Sequence, residues 1–281
     1  MKAVSIYKLT NAQQTIATIT EEVIEQFNFK PCGPHDSRKM GFSPNVIDGK
    51  YVTQVNGDII LTVVEQTKAP KKYTINQAVE VKKLAYLAEY GVEPNKVRLK
   101  EMVNIVKEEL LPLTQPDEPK YATVVIKSSG IVLIEANYKK AENLLALLRK
   151  AIGSLPVVPF EVECSIGDKL DDLVLEKDKV TFTLGSKAVL VTPEALSHTI
   201  SKGSLYDSNA KGLVNDGYMT TSLQLELEGT LFTLKDTLEI EGVKFDKELF
   251  SELEKGDEAG SVLIKLGEVN KIVKEVIEYL K

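Results

Sequence analysis

Paired basic side chains are the residues of this sequence best suited to chemistry, because they could hold a polyanion. They occur mainly in predicted helices of the first half of the chain, as Lys71-Lys72, Lys82-Lys83, Lys139-Lys140 and Arg149-Lys150. Each pair alone is most simply a solvated surface. On one shared concave face, the pairs would create the positive potential that a phosphate backbone requires. Nucleic-acid binding is therefore the first functional hypothesis.

Carboxylates beside a lysine are the second candidates, because two-metal phosphodiester hydrolysis uses them. Asp58, Glu80 and Lys82 have these residue types. Glu80 and Lys82 fall on a predicted helix, however, whereas the nuclease motif needs a strand that aims both at one metal. Two further acidic clusters are interpreted as solvated turns and strand edges: Asp168, Asp171, Asp172 and Asp236, Glu239, Glu241. A metal-dependent nuclease remains the alternative function.

Other catalytic signatures are absent from the sequence. It has no P-loop, no dinucleotide-binding glycine fingerprint, no nucleophile elbow and no HExxH motif. Its two histidines, His35 and His198, offer little general-base chemistry at neutral pH. Cys32 and Cys164 form neither a disulfide framework nor a zinc-ligand spacing. We therefore expect no cofactor, no metal and no catalytic site.

The charge balance opposes DNA binding by the chain as a whole. Its 35 basic and 41 acidic residues give a formal net charge of −6. Phosphate affinity depends on local potential, so acidic outer faces are compatible with one lysine-lined surface. The N-terminus lacks the apolar core of a signal peptide, and no apolar stretch approaches the ~20 residues that span a bilayer. The expected location is the cytoplasm, without membrane contact.

The first part of the sequence predicts a mixture of strands and helices. Residues 3–9 alternate as a strand, and residues 29–44 read as an irregular loop because they are dense in Pro and Gly. Residues 51–65 form a hairpin through Asn56-Gly57, the dipeptide that best fits a type I′ turn.

A helical hairpin is predicted next. Thr74 caps a helix that ends near Tyr90, and Pro94 lies in the first turn of a second helix, which reaches Leu111. Residues 113–120 are a tip or linker. One face of the helical pair carries cations at Lys82, Lys83, Lys96, Arg98 and Lys100.

The strongest helix prediction covers residues 138–152, after a second hairpin at 121–135. Asn137 caps this helix and Gly153 ends it. Its apolar stripe is Ala141, Leu144, Leu145, Leu148 and Ile152. On a helical wheel, the side chains opposite that stripe are Lys139, Asn143 and Lys150.

The second half is predicted to be rich in strands. These are residues 179–184, 188–192, 219–228, 230–235 and 262–266. Short helices are expected at 193–201 and 246–254, and a terminal helix carries an apolar face from Val269 to Leu280. The polar stretch 204–217 is expected to be mobile.

Two stretches of this sequence resemble the RdgC family of recombination-associated proteins. Residues 29–44 read F-x-P-C-G-x-x-D-x-x-K-M-G-x-x-P, which resembles the family's N-terminal loop. Residues 139–159, KKAENLLALLRKAIGSLPVVP, resemble its central helix and the segment after it. Weaker similarity extends over nearly the whole chain.

The resemblance implies an α+β fold: a curved, multi-lobed subunit with β-hairpins, antiparallel sheets and packed helices. The implied regions are a centre at residues 1–72 and 121–160, a helical hairpin and tip at 73–120, and a strand-rich base at 161–281 with the C-terminal helix. Two copies would close into a ring dimer around double-stranded DNA. The implied activity is DNA binding with little sequence preference that restrains a RecA-type recombinase in the nucleoid.

The resemblance also implies DNA-binding residues. Lys39, Lys139, Lys140, Arg149 and Lys150 match family positions, and Lys187 and Lys202 match loosely in a compacted base. Together with the cations of the helical hairpin, they form the predicted site. Leu113 stands where better-known members carry an aromatic after Leu-Leu-Pro. Two alternatives stay open: a nuclease in phage or host recombination, and a protein-only adaptor of the recombinase.

Overall fold

A computed structural model describes residues 1–177 and 181–281 as a mixed α/β fold made of two compact units. Unit 1 contains Met1–Ile24, Pro44–Leu61 and Ala122–Lys281. Unit 2 contains Glu25–Ser43 and Thr62–Tyr121. The predicted division into centre, tip and base remains a prediction.

The strands and helices of the described ranges are numbered in chain order. The strands are β1 Ala3–Leu9, β2 Arg38–Ser43, β3 Thr53–Val55, β4 Asp58–Thr67, β5 Lys120–Ile126, β6 Ile131–Ile134, β7 Val157–Pro159, β8 Thr183–Val191, β9 Ser197–Ile200, β10 Met219–Leu227, β11 Thr230–Lys235 and β12 Ile240–Lys244. The helices are α1 Ala12–Ala17, α2 Glu21–Glu25, α3 Lys72–Tyr90, α4 Lys96–Leu110, α5 Tyr138–Ile152, α6 Ile166–Val174, α7 Ala210–Asn215 and α8 Glu258–Tyr279. Short 3₁₀ turns occur at Leu205–Asp207 and Glu248–Phe250.

An open antiparallel sheet forms the centre of unit 1. Its strand order is β5-β6-β1-β12-β11-β10-β8-β9, with β7 also beside β1. β1 pairs with strands distant in sequence, for example Ser5 with Ile134 and Val4 with Ile240. The predicted hairpin at Asn56-Gly57 is confirmed: both residues have positive φ, and β3 pairs with β4 on either side. The predicted mixture of helices and antiparallel strands is therefore correct.

The two faces of this sheet carry different helices. Side chains alternate along a strand, so Val4 and Ile6 of β1 point one way and Ser5 and Tyr7 the other. Val4 and Ile6 belong to the buried core that includes the apolar side of α8. The Tyr7 hydroxyl instead donates a hydrogen bond to Glu142 of α5, at 2.9 Å. The helices α5 and α8 therefore lie on opposite faces of the unit 1 sheet.

Unit 2 contains the paired helices α3 and α4 and the pairing of β2 with the second half of β4. The interpretation of residues 29–44 as irregular throughout is wrong, because β2 lies inside this stretch. Gly41 permits it: a Cβ at this position would lie 2.5 Å from the Phe29 Cα atom. Phe29 N–H donates to the Phe42 carbonyl at 2.7 Å and Phe42 N–H donates to the Phe27 carbonyl at 2.9 Å, so the preceding segment runs parallel to β2 at contact distance.

A lysine outside the family motif also stabilises this loop. Lys68 is buried, and its ammonium donates to the carbonyl oxygens of Gly33 at 3.2 Å and Pro34 at 2.9 Å. Gln66 accepts a hydrogen bond from the backbone N–H of Cys32 at 2.9 Å. The turn that carries the motif is therefore bonded to the end of β4.

Several predicted elements of the second half are wrong. Residues 193–201 do not form a helix, because β9 pairs there with β8. Residues 262–266 are not a strand but part of α8, whose apolar stripe continues through Leu266 and Val269. Residues 246–254 contain only a 3₁₀ turn. The stretch 204–217 contains α7, and its mobility remains a prediction.

Other predicted elements are present, but their boundaries differ from those predicted. The predicted strands 179–184 and 188–192 correspond to the single strand β8, and residues 179 and 180 lie outside the described part of the chain. Helix α3 begins at Lys72, before Thr74, and Pro94 precedes α4 rather than entering it, since Asn95 is the N-cap. No helix in the described ranges is long and apolar enough to cross a membrane.

Candidate nucleic-acid interface

Helix α5 presents the clearest basic surface in unit 1. Its predicted limits are confirmed, and the Asn137 side chain accepts from the Lys140 N–H at its start. Leu144, Leu145 and Leu148 are buried, which fixes the rotation of the helix about its axis. Of the exposed basic side chains, Lys139 and Lys150 lie on the side opposite this stripe, and Lys140 and Arg149 lie on its two flanks. At 1.5 Å per residue, the first and last of them are about 16 Å apart.

Few carboxylates offset these charges on the helix itself. Glu142 is the only acidic residue in Tyr138–Ile152, and it accepts the hydrogen bond from buried Tyr7. Burial, followed by this bond and the Glu142 charge, raises the pKa of Tyr7 above its ordinary value. Within the part of the chain that the structure describes, Lys139, Lys140 and Arg149 form no ion pair. The helix surface therefore keeps most of its positive charge.

The N-terminus of α5 is attached to the β11–β12 turn. The Glu239 carboxylate, which is 7% exposed, accepts from the Tyr138 N–H at 2.7 Å. Burial and the Glu239 charge raise the pKa of Tyr138 to about 12. Lys235 pairs with Glu239 at 3.5 Å and with Glu241 at 2.8 Å. Partial burial lowers the pKa of Lys235, but these carboxylates outweigh it, and the pKa lies above its ordinary value.

The predicted site residues of unit 2 differ, because four of the six are ion-paired. Lys82 lies 2.9 Å from Glu109, Lys83 lies 3.3 Å from Glu80 and Arg98 lies 2.8 Å from Glu101. Lys39 on β2 lies 3.1 Å from Asp36. Exposed pairs of this kind add little stability, but each places a negative charge beside the cation. Their contribution to a positive surface is reduced accordingly.

Four other predicted site residues are exposed and unpaired within the described ranges: Lys96 and Lys100 on α4, Lys187 on β8 and Lys202 after β9. The twelve predicted residues thus divide equally between the units. Unit 2 holds Lys39, Lys82, Lys83, Lys96, Arg98 and Lys100. Unit 1 holds Lys139, Lys140, Arg149, Lys150, Lys187 and Lys202.

The acidic candidates have structural partners. Asp58 pairs with Lys127 at 3.1 Å in unit 1, whereas Glu80 lies on α3 in unit 2. Asp171 lies on α6 rather than in a turn and accepts from the Thr220 N–H at 2.9 Å. Partial burial raises the pKa of Asp171 above its ordinary value. Among the described residues, no group of three or more His, Cys, Asp or Glu is arranged to hold a metal ion.

Comparison with known proteins identifies the family. Residues 1–281 match the RdgC family model, whose description reads "Putative exonuclease, RdgC". The chain belongs to the RdgC family. Its curated relatives include the recombination-associated protein RdgC of Salmonella typhimurium, of Salmonella typhi and of Salmonella newport. Each is 26% identical over 298 aligned positions, which cover 99% of this chain and 97% of the relative.

Membership in the RdgC family confirms the resemblance drawn from residues 29–44 and 139–159. Sequence reasoning missed Gln66 and Lys68, which support the first motif, and it wrongly interpreted Glu239, which supports the second, as solvated although it is buried. A buried lysine or glutamate inside a polar stretch carries no periodic signal. Only the fold reveals which backbone groups such side chains bind.

Proposed function

We propose that this RdgC-family protein binds double-stranded DNA without sequence preference and takes part in homologous recombination. By occupying DNA it restrains a RecA-type recombinase, within the nucleoid of the cytoplasm. The observation that carries the proposal is the exposed part of α5, where Lys139 and Lys150 lie opposite the buried apolar stripe and Lys140 and Arg149 flank it. The printed name of the relatives, recombination-associated protein, supports the same process.

Binding of this kind is steric and electrostatic. Lysine and arginine on a fixed helix face contact phosphates, which are the same in every sequence. Each neutralised phosphate releases counterions, so affinity falls as salt rises, with a slope of about −0.9 per contact. No catalytic group is required.

Charge reversal on α5 tests the proposal. We expect Lys139→Glu with Lys140→Glu to weaken binding to random-sequence duplex and to reduce the salt slope by about 2, since each lysine removed lowers it by about 1. Fluorescence anisotropy between about 50 and 200 mM salt measures both. The matched control is Lys247→Glu with Lys255→Glu, two exposed lysines elsewhere in unit 1. Equal loss in both double variants, or no loss in the first, contradicts the assignment to α5.

The proposed assembly is a homodimer that forms a ring around the duplex. Its support is α3, a 19-residue helix with no buried side chain. Tyr73, Val81, Leu84 and Tyr90 of this helix are large apolar residues that are more than half exposed. A second copy would cover them in a self-complementary contact.

The oligomeric state is tested by light scattering. We expect a dimer, and a monomer for Val81→Lys with Leu84→Glu at the same concentration. Retained circular dichroism in that variant separates loss of assembly from loss of folding. A wild-type monomer at micromolar concentration contradicts the ring.

The proposed effect on the recombinase separates DNA occupation from a protein-only adaptor. Strand exchange by a RecA-type recombinase should be inhibited by the wild type and restored with Lys139→Glu and Lys140→Glu. Inhibition that persists in this variant, after its DNA affinity is lost, would instead favour direct contact with the recombinase.

A nuclease remains the second candidate because the family description includes the word exonuclease. We propose that the protein is not an enzyme. Incubation of end-labelled linear DNA with Mg²⁺ or Mn²⁺ should therefore leave the DNA intact. If the DNA is degraded and Glu80→Ala abolishes this degradation, the protein is a metal-dependent nuclease instead.

A further inference from the structure

A second basic feature of unit 1 is a groove beside the last turns of α8. It has a volume of about 480 Å³ and lies between α8 and the turn that joins β5 to β6. Its apolar floor is formed by Ile131, Val273 and Ile277. Four lysines surround the floor: Lys127, Lys271, Lys274 and Lys281.

The lysines of this groove fall into two classes. Lys127 is held by Asp58 and by the Asn270 side chain, each at 3.1 Å, and Lys271 is paired with Glu228. Lys274 and Lys281 are exposed and have no ion-pair partner in the described ranges. One carboxylate, Glu278, lines the groove. Because Lys127 and Lys271 are paired with carboxylates, the local excess of positive charge comes from Lys274 and Lys281 against Glu278. The chain as a whole has more acidic than basic residues.

The position of the groove separates it from the α5 surface. The last turns of α8 pack on the face of the sheet that carries Val4 and Ile6, whereas α5 packs on the face that carries Tyr7. A duplex lying along α5 would therefore be on the other side of the unit 1 sheet from Lys274.

The chemistry of the groove favours a ligand that is partly apolar. A site for phosphate alone needs cations and N–H donors, and gains nothing from an apolar floor. An apolar floor with ammonium groups on its rim suits an aliphatic or aromatic side chain flanked by carboxylates. The volume lies within the ~300–1,000 Å³ that is usual for ligand pockets. We propose that this groove binds a short acidic peptide segment of a partner protein, with one or two apolar side chains in the floor.

The experiment uses the full-length protein and a short fluorescein-labelled peptide in which a Leu-Phe pair is flanked by aspartates. Anisotropy should show saturable binding. Lys274→Glu should weaken it by about tenfold or more, since reversing a charge at the rim turns attraction into repulsion. The matched control is Lys255→Glu, an exposed lysine of the same unit outside the groove, which should bind as the wild type does.

Two control peptides test the floor and the rim separately. A peptide with serines in place of Leu-Phe should bind at least about tenfold more weakly, and so should one with lysines in place of the aspartates. If the serine peptide bound as tightly as the Leu-Phe peptide, the apolar floor would contribute nothing to binding, and the proposal would be overturned.

Duplex DNA serves as the competing ligand. We expect it not to displace the peptide and to bind Lys274→Glu as tightly as the wild type. Displacement by DNA would assign the groove to nucleic acid instead. Absence of saturable peptide binding by the folded wild type would also overturn the proposal.

Discussion

At the scale of single residues, close packing around the family motif explains why one position excludes any side chain. Gly41 lies in β2 where the backbone of Phe29, which runs parallel to the strand, comes closest to it. The contact atoms are backbone N and Cα, which cannot move aside as a flexible side chain would. The glycine is therefore required by the close approach of the neighbouring backbone rather than by an unusual φ.

Gly41→Ala should destabilise the protein by about 1–3 kcal/mol, because the new methyl group forces the loop away from β2. Thermal or urea unfolding measures the change. Gly267→Ala in α8 is the matched control: nothing lies within 4 Å of its added Cβ, and helix propensity favours alanine. A neutral Gly41→Ala would mean that the backbone of Phe29 does not approach Gly41 this closely.

The partly buried carboxylate of Glu135 gives a residue-scale prediction with pH. Burial raises the pKa of Glu135, although hydrogen bonding to Thr123 and the N-terminal ammonium lower it in part. Folding therefore disfavours the charged form. At low pH the carboxyl is protonated in both the folded and the unfolded protein, so its burial does not lower the free energy of unfolding. That free energy decreases as pH rises through the pKa of the unfolded state and then through the pKa of the folded state.

Glu135→Gln should therefore be more stable than the wild type at pH 7, and this advantage should disappear below about pH 4. Urea unfolding at a series of pH values measures the difference. An advantage that is constant across pH, or that grows as pH falls, would show that the charge of Glu135 is not the cause.

At the scale of elements, a prediction from the sequence was correct where the residues that determine the element lie within or beside it. It was wrong where the element depends on a partner or on a longer helix. The limits of α5 were predicted correctly because Asn137, the leucine stripe and Gly153 are all within the helix or next to it. The strand β9 was mistaken for a helix because its partner in β8 is what makes it a strand. Residues 262–266, VLIKL, are a short apolar run that locally fits a strand, yet they are part of α8 and lead into its apolar stripe.

The same distinction applies to the candidate site. The basic residues were identifiable from the sequence, and the exposed side of α5 followed from its periodicity. The ion pairs were not identifiable from the sequence, because Lys82 and Glu109 come together only when α3 packs on α4. The attachment of α5 to Glu239 likewise depends on a strand about a hundred residues away in the sequence.

Removal of the cap should weaken the element that presents the basic face. Asn137→Ala leaves the Lys140 N–H without its partner and should cost about 1 kcal/mol of unfolding free energy. Asn137→Asp keeps an accepting oxygen and should retain most of that stability. Hydrogen exchange of the first turn of α5 locates the effect, and unchanged protection in the alanine variant would contradict it.

At the scale of the whole molecule, the charges of the chain act over different distances. The net charge of −6 repels DNA at long range, while the α5 lysines attract phosphates in contact. At 0.1 M salt the Debye length is about 10 Å, so the repulsion is largely screened; at 0.01 M it is about 30 Å.

The logarithm of the DNA affinity, plotted against the logarithm of salt concentration, should therefore bend. Between about 50 and 200 mM it should fall steeply as counterions are released, and below about 20 mM it should flatten as long-range repulsion returns. Anisotropy titrations across this range measure the curve. A straight line down to 10 mM would show that the acidic surfaces do not affect association.

The exposed side of α5 also has an optical consequence. The chain contains no tryptophan, and Ala146 lies on the solvent side of this helix, three residues after Asn143 and four before Lys150. An indole introduced there would be the sole long-wavelength emitter in the protein. Its spectrum would report events at that surface alone, free of any background from the two cores.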